Sequence, residues 1–512
     1  MKYCTRKKSN SYYILMTVVL AAVTFSGCVC TKADKKGNTK YEYSWESLKT
    51  KECPEWFHDA KFGIFIHWGP YAVIGHKKSG EGYAEWTPRN MYYRYPEYYD
   101  AYLEKRFGQK PPELGYKDIC RMFKAEKFDP EQWAELFENA GARYVVPVAE
   151  HHDGYAMWDS DLTPWCATKV GPMRDLIGDL GKAVRNRDMK YAPSYHRERH
   201  PGYFANPIYS INPTPFEDVL KEIEAEPEAA KLYGPFAYSD EFIADYVARW
   251  KEIEEKYQPD FMWLDHIPIF HARWNKKEAD HPQVKKFRDA CMRMIADYYN
   301  AGEKWGVDVY VNNKGPKGGI NWPEGVGCRG GDNMKLDSIS EHKWQNPATL
   351  GTSYGYLQNE EENDLYKSPT ELVHLLCDVV SKNGNLLLNI GPRPDGTIPE
   401  GMQTRLLAIG EWLKTNGDAI YATRPWVKAV QEEPATRFTT KGENLYAILF
   451  EKPAKPFVIK MDRKAALKYK EASLLGSDEK LRWTVVDEGI RITPPREWPG
   501  EHAWTVKLSR SK

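Results

Sequence analysis

The sequence has no excess of charge of either sign. Its 512 residues contain 72 Lys and Arg and 72 Asp and Glu, so the formal net charge is zero. This balance excludes the basic surface of a dedicated nucleic-acid-binding protein. A mean hydropathy of −0.67 excludes a polytopic membrane protein, and a hydrophobic content of 42% excludes wholesale disorder. We therefore predict a globular protein that binds no nucleic acid.

Cysteine is scarce and scattered. The chain has nine Cys residues, and apart from Cys28 and Cys30 their spacing does not suggest a metal site. An exported protein can form disulfides, but this spacing specifies no pairing. We predict no structural zinc, no other bound metal and no cofactor.

The sequence also lacks a long hydrophobic run. Residues 13–25 are apolar and uncharged, whereas a transmembrane helix needs about 20 such residues. Because residues 1–10 are basic, we predict a signal peptide over residues 1–27. Its end, Ser26-Gly27-Cys28, resembles the lipobox of bacterial lipoproteins. That resemblance implies lipidation of Cys28, and the alternative is ordinary cleavage nearby.

The expected location of the protein follows from this N-terminus. Residues 28–44, which are rich in Lys, Asp and Gly, are predicted to form a flexible tether. We expect an exported protein of the bacterial cell envelope, in the periplasm or at the cell surface. It would contact the membrane only through its N-terminal lipid.

Short apolar runs alternate with amphipathic helices over residues 45–425. Asp129-Pro130 and the Ser368–Glu371 capping box have the composition of helix starts. Alternation of this kind implies a parallel sheet covered on both faces, and about eight strands over roughly 350 residues favour a (β/α)₈ TIM-like barrel. We predict strands at residues 62–68, 143–149, 190–195, 260–265, 307–312 and 385–390.

The pattern changes beyond residue 425. Residues 437–450 alternate through a turn at residues 441–444, and further short strands follow without helical periodicity. We predict a C-terminal antiparallel β-sandwich over residues 426–512.

Polar side chains follow several predicted barrel strands. His67 lies at the end of the first, His151 and His152 follow the second, and Asp265 ends the fourth. Barrel enzymes carry their chemistry at this end of the strands. With 33 Tyr and 18 Trp in the chain, these residues suggest an aromatic-walled polar pocket for a sugar. Metal binding by the two adjacent histidines is disfavoured, because neighbours on an extended segment point in opposite directions.

Six segments of the chain resemble glycoside hydrolase family 29, the retaining α-L-fucosidases. They occur in the family's order at residues 56–69 (WFHDAKFGIFIHWG), 85–92, 151–155 (HHDGY), 263–265, 384–392 and 416–426. The resemblance implies a barrel followed by a β-sandwich. It also implies hydrolysis of terminal α-L-fucosyl residues of oligosaccharides or glycoconjugates through a covalent glycosyl-enzyme.

The resemblance also implies roles for individual residues. The resemblance makes Asp265 the nucleophile. It leaves the acid/base open between Asp337, Glu341, another residue or none. The implied sugar-binding residues are His67, Glu85, Trp86, His151, His152, Tyr195, Trp263 and Lys314.

Two charged positions depart from the family pattern. Glu150 stands where Lys is usual, and Lys314 stands where a bidentate Arg is common. Their opposite charges make a pairing of Glu150 with Lys314 a reasonable hypothesis. The segment from His196 to Tyr238, which includes Arg197, Arg199, His200 and Tyr203, has no family counterpart. It either binds an anionic group on a decorated glycan or forms surface ion pairs.

Other functions also fit the motifs. An α-L-galactosidase or modified-fucose hydrolase would need only a changed contact at C6 of the sugar. A non-catalytic glycan-binding lipoprotein would keep the barrel and lack the acid/base.

Overall fold

The computed structural model describes residues 41–208, 210–265, 280–314 and 322–510. Cys28, the predicted signal peptide and most of the predicted tether lie outside these ranges. Within them, no helix combines the length and apolar character needed to cross a membrane.

Eight parallel strands form a closed barrel, and the last strand pairs with the first. The third strand is interrupted, and its pairing with the second shifts register between Val148 and Glu150. The barrel strands are β1 Phe62–Ile66, β2 Tyr144–Glu150, β3 (Lys190–Tyr191 and Ser194–Tyr195), β4 Phe261–Leu264, β5 Tyr310–Lys314, β6 Cys328–Gly330, β7 Trp344–Thr349 and β8 Gly384–Ile390. The predicted barrel is confirmed.

Helices cover the barrel where their capping residues predicted them. Asp129 accepts the backbone N–H groups of Glu131 and Gln132, and Ser368 forms the predicted capping box with Glu371. The longer helices are Pro96–Phe107, Tyr116–Met122, Pro130–Asn139, Leu176–Arg185, Glu217–Ala225, Asp240–Tyr257, Pro282–Trp305, Pro369–Ser381 and Glu400–Asn416. The shorter helical segments are Trp45–Lys49, Glu55–Ala60, Tyr71–Ile74, Ala84–Trp86, Thr87–Asn90, Arg197–Arg199, His200–Tyr203, Pro227–Ala229, Ala230–Tyr233, Gln358–Glu362, Gly417–Ala419 and Arg463–Ala466.

The connection between β6 and β7 is irregular. Residues 331–343 contain no helix, although they run from the C-terminal end of β6 to the N-terminal end of β7. Side chains along this segment are therefore distributed over both ends of the barrel. Elsewhere, a two-residue β-ladder joins Ala205–Asn206 to Thr214–Pro215.

Two antiparallel sheets follow the barrel. Their strands are β9 Arg424–Gln431, β10 Thr436–Lys441, β11 Asn444–Leu449, β12 Phe457–Lys460, β13 Glu471–Leu474, β14 Trp483–Val486, β15 Gly489–Ile492 and β16 Trp504–Ser509. The five-stranded sheet has the order β9-β10-β11-β16-β13, and the three-stranded sheet has the order β12-β15-β14. A separate apolar cluster that includes Phe438, Ile459 and Val506 fills this domain. The predicted boundary after residue 425 falls inside β9.

Candidate active site

Asp265 stands directly after β4 at the C-terminal end of the barrel. The Asn312 side chain on β5 fixes this strand end, because it accepts the Leu264 N–H (2.6 Å) and donates to the Leu264 carbonyl (2.8 Å). The Asp265 carboxylate is buried and lies 3.6 Å from Nε2 of His152. The position is held rigidly, as a nucleophile requires.

Lys314 joins Asp265 to a second carboxylate. Its ammonium contacts Oδ1 of Asp265 and lies 2.8 Å from Oδ2 of Asp332. Asp332 follows β6, and its Oδ1 accepts the Tyr354 hydroxyl (3.1 Å). Two oxygens that contact one nitrogen are at most roughly 5 Å apart, which is compatible with the carboxyl separation of about 5–5.5 Å in retaining glycosidases.

The charge on Lys314 is stabilised by the same pair. Burial alone would lower its pKa, but the negative charges of Asp265 and Asp332 together with their hydrogen bonds raise it above the usual range. The contact thus places a positive charge directly beside the Asp265 carboxylate.

Four buried histidines line this end of the barrel: His67, His151, His152 and His196. Burial lowers the pKa of His67 to about 3 and those of the other three well below their usual range. These imidazoles are therefore neutral near pH 7.

Hydrogen bonds assign the tautomers of two of these rings. The amide of Asn389 donates to the Tyr354 carbonyl, so its Oδ1 accepts from Nδ1 of His67 (2.6 Å). Nδ1 of His152 donates to the His196 carbonyl (2.5 Å). Nε2 of each ring is then an acceptor, suited to a sugar hydroxyl.

Two groups of side chains are also close enough to hold a metal ion. His67, His151 and His196 form one, and His152, His196 and Asp265 form the other, with ligand atoms within 4.8 Å of one another. These atoms belong to the same histidine and carboxylate cluster, so a metal there would occupy the candidate sugar site.

Glu85 and Trp86 bring the long loop after β1 over the site. Glu85 accepts the Gly355 N–H (2.9 Å), and burial raises its pKa to about 8. The Trp86 ring lies 5.2 Å from the His152 ring. The site thus has one aromatic wall beside its imidazoles.

The observed position of Tyr195 differs from its predicted role, whereas Trp263 packs against the site residue His196. The Tyr195 hydroxyl donates to the Tyr246 carbonyl (3.0 Å), so this side chain points outwards to the helix covering β3. His196 takes the inward position and stacks on the Trp263 ring at 5.2 Å. Trp263 is buried in the barrel, and its indole N–H donates to Gln345 (2.8 Å). The prediction for Tyr195 was wrong.

Asp337 and Glu341 do not reach the candidate site. Both line a cavity with Lys343 and His58, and Lys343 directly precedes β7 at the N-terminal end of the barrel. The backbone carbonyl of Glu341 accepts the amide of Asn383, which directly precedes β8. Both acid/base predictions were wrong, because the helix-free segment 331–343 has already carried the chain away from Asp265.

The expected pairing of Glu150 with Lys314 is also absent. Glu150 binds Arg197 (2.5 Å) and Arg249 (3.3 Å) in a fully buried ion pair. His200 is held by the backbone carbonyls of His152 and Gly234. Arg197 and His200 therefore anchor the start of the 196–238 segment in the interior, while its exposed part forms surface ion pairs such as Lys221–Glu217.

Sequence reasoning missed three acidic or imidazole groups of the site. They are Asp332, His196 and Glu198. Glu198 is buried, and its Oε1 lies 3.7 Å from Nδ1 of His152. Burial, followed by the charge of Asp265, raises the pKa of Glu198 well above its usual range. Their position in the sequence could have identified them as site residues, because each follows a barrel strand by no more than three residues.

A closed parallel barrel with a carboxylate pair among neutral imidazoles at its C-terminal end is an arrangement that glycoside hydrolases use. The α-L-fucosidase family model matches residues 28–418, and the α-L-fucosidase C-terminal domain model matches residues 431–509. The chain belongs to the α-L-fucosidase family.

Individual relatives match over nearly their whole length. The chain is 31% identical to rat tissue α-L-fucosidase, covering 92% of this chain and 93% of that protein. It is 30% identical to human tissue α-L-fucosidase, covering 92% of each. Thermotoga maritima α-fucosidase in complex with fucose has 30% identity and a TM-score of 0.73, covering 92% of this chain and 100% of that one.

Proposed function

We propose that this protein is a retaining exo-α-L-fucosidase in which Asp265 is the nucleophile and Asp332 the acid/base. The main support for this proposal is that the Lys314 ammonium contacts both carboxylates. Family membership provides the reaction, and this contact supports the assignment of the two roles.

The geometry supports a two-step displacement. Asp265 attacks the anomeric carbon while Asp332 protonates the departing glycosidic oxygen. Asp332, now ionised, then takes a proton from water, which attacks the same carbon and releases Asp265 with the original configuration. Asp332 suits the aglycone side, because its side chain is 35% exposed while that of Asp265 is 7% exposed.

The surrounding residues suit one terminal sugar. Neutral His67 and His152 each offer an acceptor nitrogen for a hydroxyl, and Trp86 offers an apolar face for a ring or methyl group. Burial of the histidine cluster favours a closed pocket and hence exo action. The proposed substrates are fucosylated oligosaccharides and glycoconjugates.

The test compares two α-L-fucosides that differ in leaving group. On a 4-nitrophenyl fucoside we expect Asp265→Asn to lose at least 10³-fold in kcat. We expect Asp332→Ala to keep much more activity on that substrate than on an alkyl fucoside, because only the alkyl alcohol needs a proton. Azide should restore Asp332→Ala turnover and give a fucosyl azide.

Three results would contradict parts of this assignment. Equal losses on both substrates, with no azide product, would remove Asp332 as the acid/base. Faster turnover of a 4-nitrophenyl α-L-galactoside than of the fucoside would make galactose, and not fucose, the preferred sugar. No turnover of either by folded protein would favour a glycan-binding role.

We also propose that Cys28 carries a lipid that anchors the enzyme in a bacterial envelope. The basic residues 1–10, the apolar residues 13–25 and the Ser26-Gly27-Cys28 sequence support this proposal. Expressed with a fatty-acid probe, the full chain should be labelled and membrane-associated, and Cys28→Ser should be neither. Labelling that survives Cys28→Ser would overturn it.

A further inference from the structure

The aromatic wall of the candidate site is joined to the segment 199–205 by buried contacts. The Trp86 ring lies 5.2 Å from the His152 ring and 5.6 Å from the Tyr203 ring. Tyr203 is fully buried, and its hydroxyl donates to the carbonyl of Glu85 (2.7 Å), which directly precedes the tryptophan. One tyrosine therefore contacts the indole ring and also holds the backbone that carries it.

Arg89 ties the same two pieces of backbone together. It follows Trp86 by three residues and is 4% exposed. Its Nη1 lies 2.6 to 2.7 Å from three backbone carbonyl oxygens of the segment, those of Gly202, Tyr203 and Ala205. Hydrogen bonds from a charged donor are stronger than those between neutral groups, and a buried carbonyl left without a donor is costly. The wall and the segment 199–205 thus fix each other through one guanidinium.

The segment 199–205 is itself firmly anchored. A Cβ at Gly202 would lie 2.2 Å from the Ile208 carbonyl oxygen, so the backbone packs tightly against itself here. The two ring nitrogens of His200 lie 3.0 Å from the His152 carbonyl and 2.8 Å from the Gly234 carbonyl. The segment can therefore serve as a rigid support for the wall.

A second support reaches the wall from the loop after β7. The Ala84 N–H donates to the Ser353 hydroxyl (2.8 Å), and this bond fixes the backbone before Trp86. The segment 199–205 contacts the indole ring itself, since the Arg199 guanidinium also lies 5.6 Å from that ring. The placement of the ring over the site is therefore set from the side of the segment 199–205.

We propose that Arg89 and Tyr203 are positioning residues for Trp86, and that through it they set the affinity of the site for its terminal sugar. This inference rests on the proposed function, in which Trp86 packs against the ring or methyl group of the sugar. Neither residue belongs to the cluster of Asp265, Lys314 and Asp332. We therefore expect both to act on sugar binding and not on the chemical step.

The main test is Tyr203→Phe, which removes one hydroxyl and keeps the ring. With 4-nitrophenyl α-L-fucoside, KM should rise about fivefold while kcat stays within about twofold. The inhibition constant of L-fucose should rise by the same factor. Tyr298→Phe is the matched control, because it removes a buried hydroxyl that donates to the Pro259 carbonyl (2.8 Å) at the N-terminal end of the barrel. It should leave both constants unchanged.

A double-mutant cycle separates positioning through Trp86 from a general loss of stability. In a Trp86→Ala background, Tyr203→Phe should raise KM by less than about twofold. Arg89→Lys, which keeps a donor for these carbonyls, should raise KM less than Arg89→Met. A Tyr203→Phe effect that adds fully to that of Trp86→Ala, or that falls on kcat alone, would overturn the proposal.

Hydrogen exchange gives a readout that does not depend on activity. In Tyr203→Phe, the amides of residues 84–92 should exchange at least about threefold faster than in the wild type, and those of β4 should not change. Unchanged exchange in residues 84–92, or an unchanged KM in an active enzyme, would overturn the proposal. Faster exchange in a protein whose wild type hydrolyses no fucoside would count against the proposed function and support the positioning of Trp86 by Tyr203.

Discussion

Replacing Lys314 by Met tests whether its ammonium keeps the Asp265 nucleophile ionised. Without the ammonium, Asp265 loses a neighbouring positive charge and feels any negative charge on Asp332 in full. Two unit charges about 5 Å apart interact by about 3 kcal/mol at an effective dielectric constant of about 20. That energy corresponds to roughly 2 pH units. Because the Asp332 side chain is 35% exposed, screening by water reduces the expected shift to about 1 unit.

The assay is the pH dependence of kcat/KM on a 4-nitrophenyl α-L-fucoside. This quantity reports the free enzyme, and its leaving group needs no proton. We expect the acidic limb of the Lys314→Met profile to move up by about 1 pH unit. Lys314→Arg should keep the wild-type limb, because a guanidinium can also bind both carboxylates. An unshifted limb in folded Lys314→Met would refute the reasoning.

Three further predictions concern the surrounding residues. Because burial raises the pKa of Glu85 to about 8, the folded chain keeps a proton that the unfolded chain releases near pH 4.3. Glu85 should therefore contribute a loss of stability of up to about 5 kcal/mol as pH rises from about 4.3 to 8. In denaturant unfolding measured at pH 5 and pH 8, Glu85→Gln should lose less stability over this interval than the wild type, and parallel slopes would contradict the prediction. Asp337→Ala and Glu341→Ala should keep kcat on an alkyl fucoside within about twofold, whereas a loss of 100-fold in either would restore it as a candidate acid/base. Arg197→Met should cost about 3–5 kcal/mol of unfolding free energy, because it removes one partner of buried Glu150. A urea titration showing a loss below about 1 kcal/mol would show that Arg249 alone suffices.

Local sequence signals predicted the elements that carry an apolar period or a cap. Asp129 and Ser368 begin helices as expected, and the turn at residues 441–444 joins two antiparallel strands. The same signals missed β6 and β7. The first has three residues, and the second, WQNPAT, places Gln345 and Asn346 in the barrel, where hydrogen bonds satisfy Gln345. Neither has the apolar run by which buried strands are recognised.

The sequence by itself determined the barrel, the family and the position of Asp265. These follow from residues close together in the chain, such as a strand and the residue that ends it. Tertiary structure alone decided which residue partners Asp265, since the contact through Lys314 depends on how β4, β5 and β6 lie side by side. It also decided that His196, and not Tyr195, faces inwards. The interruption of β3 and the register shift beside it change which side chains face the interior, and counting along the sequence cannot detect that shift.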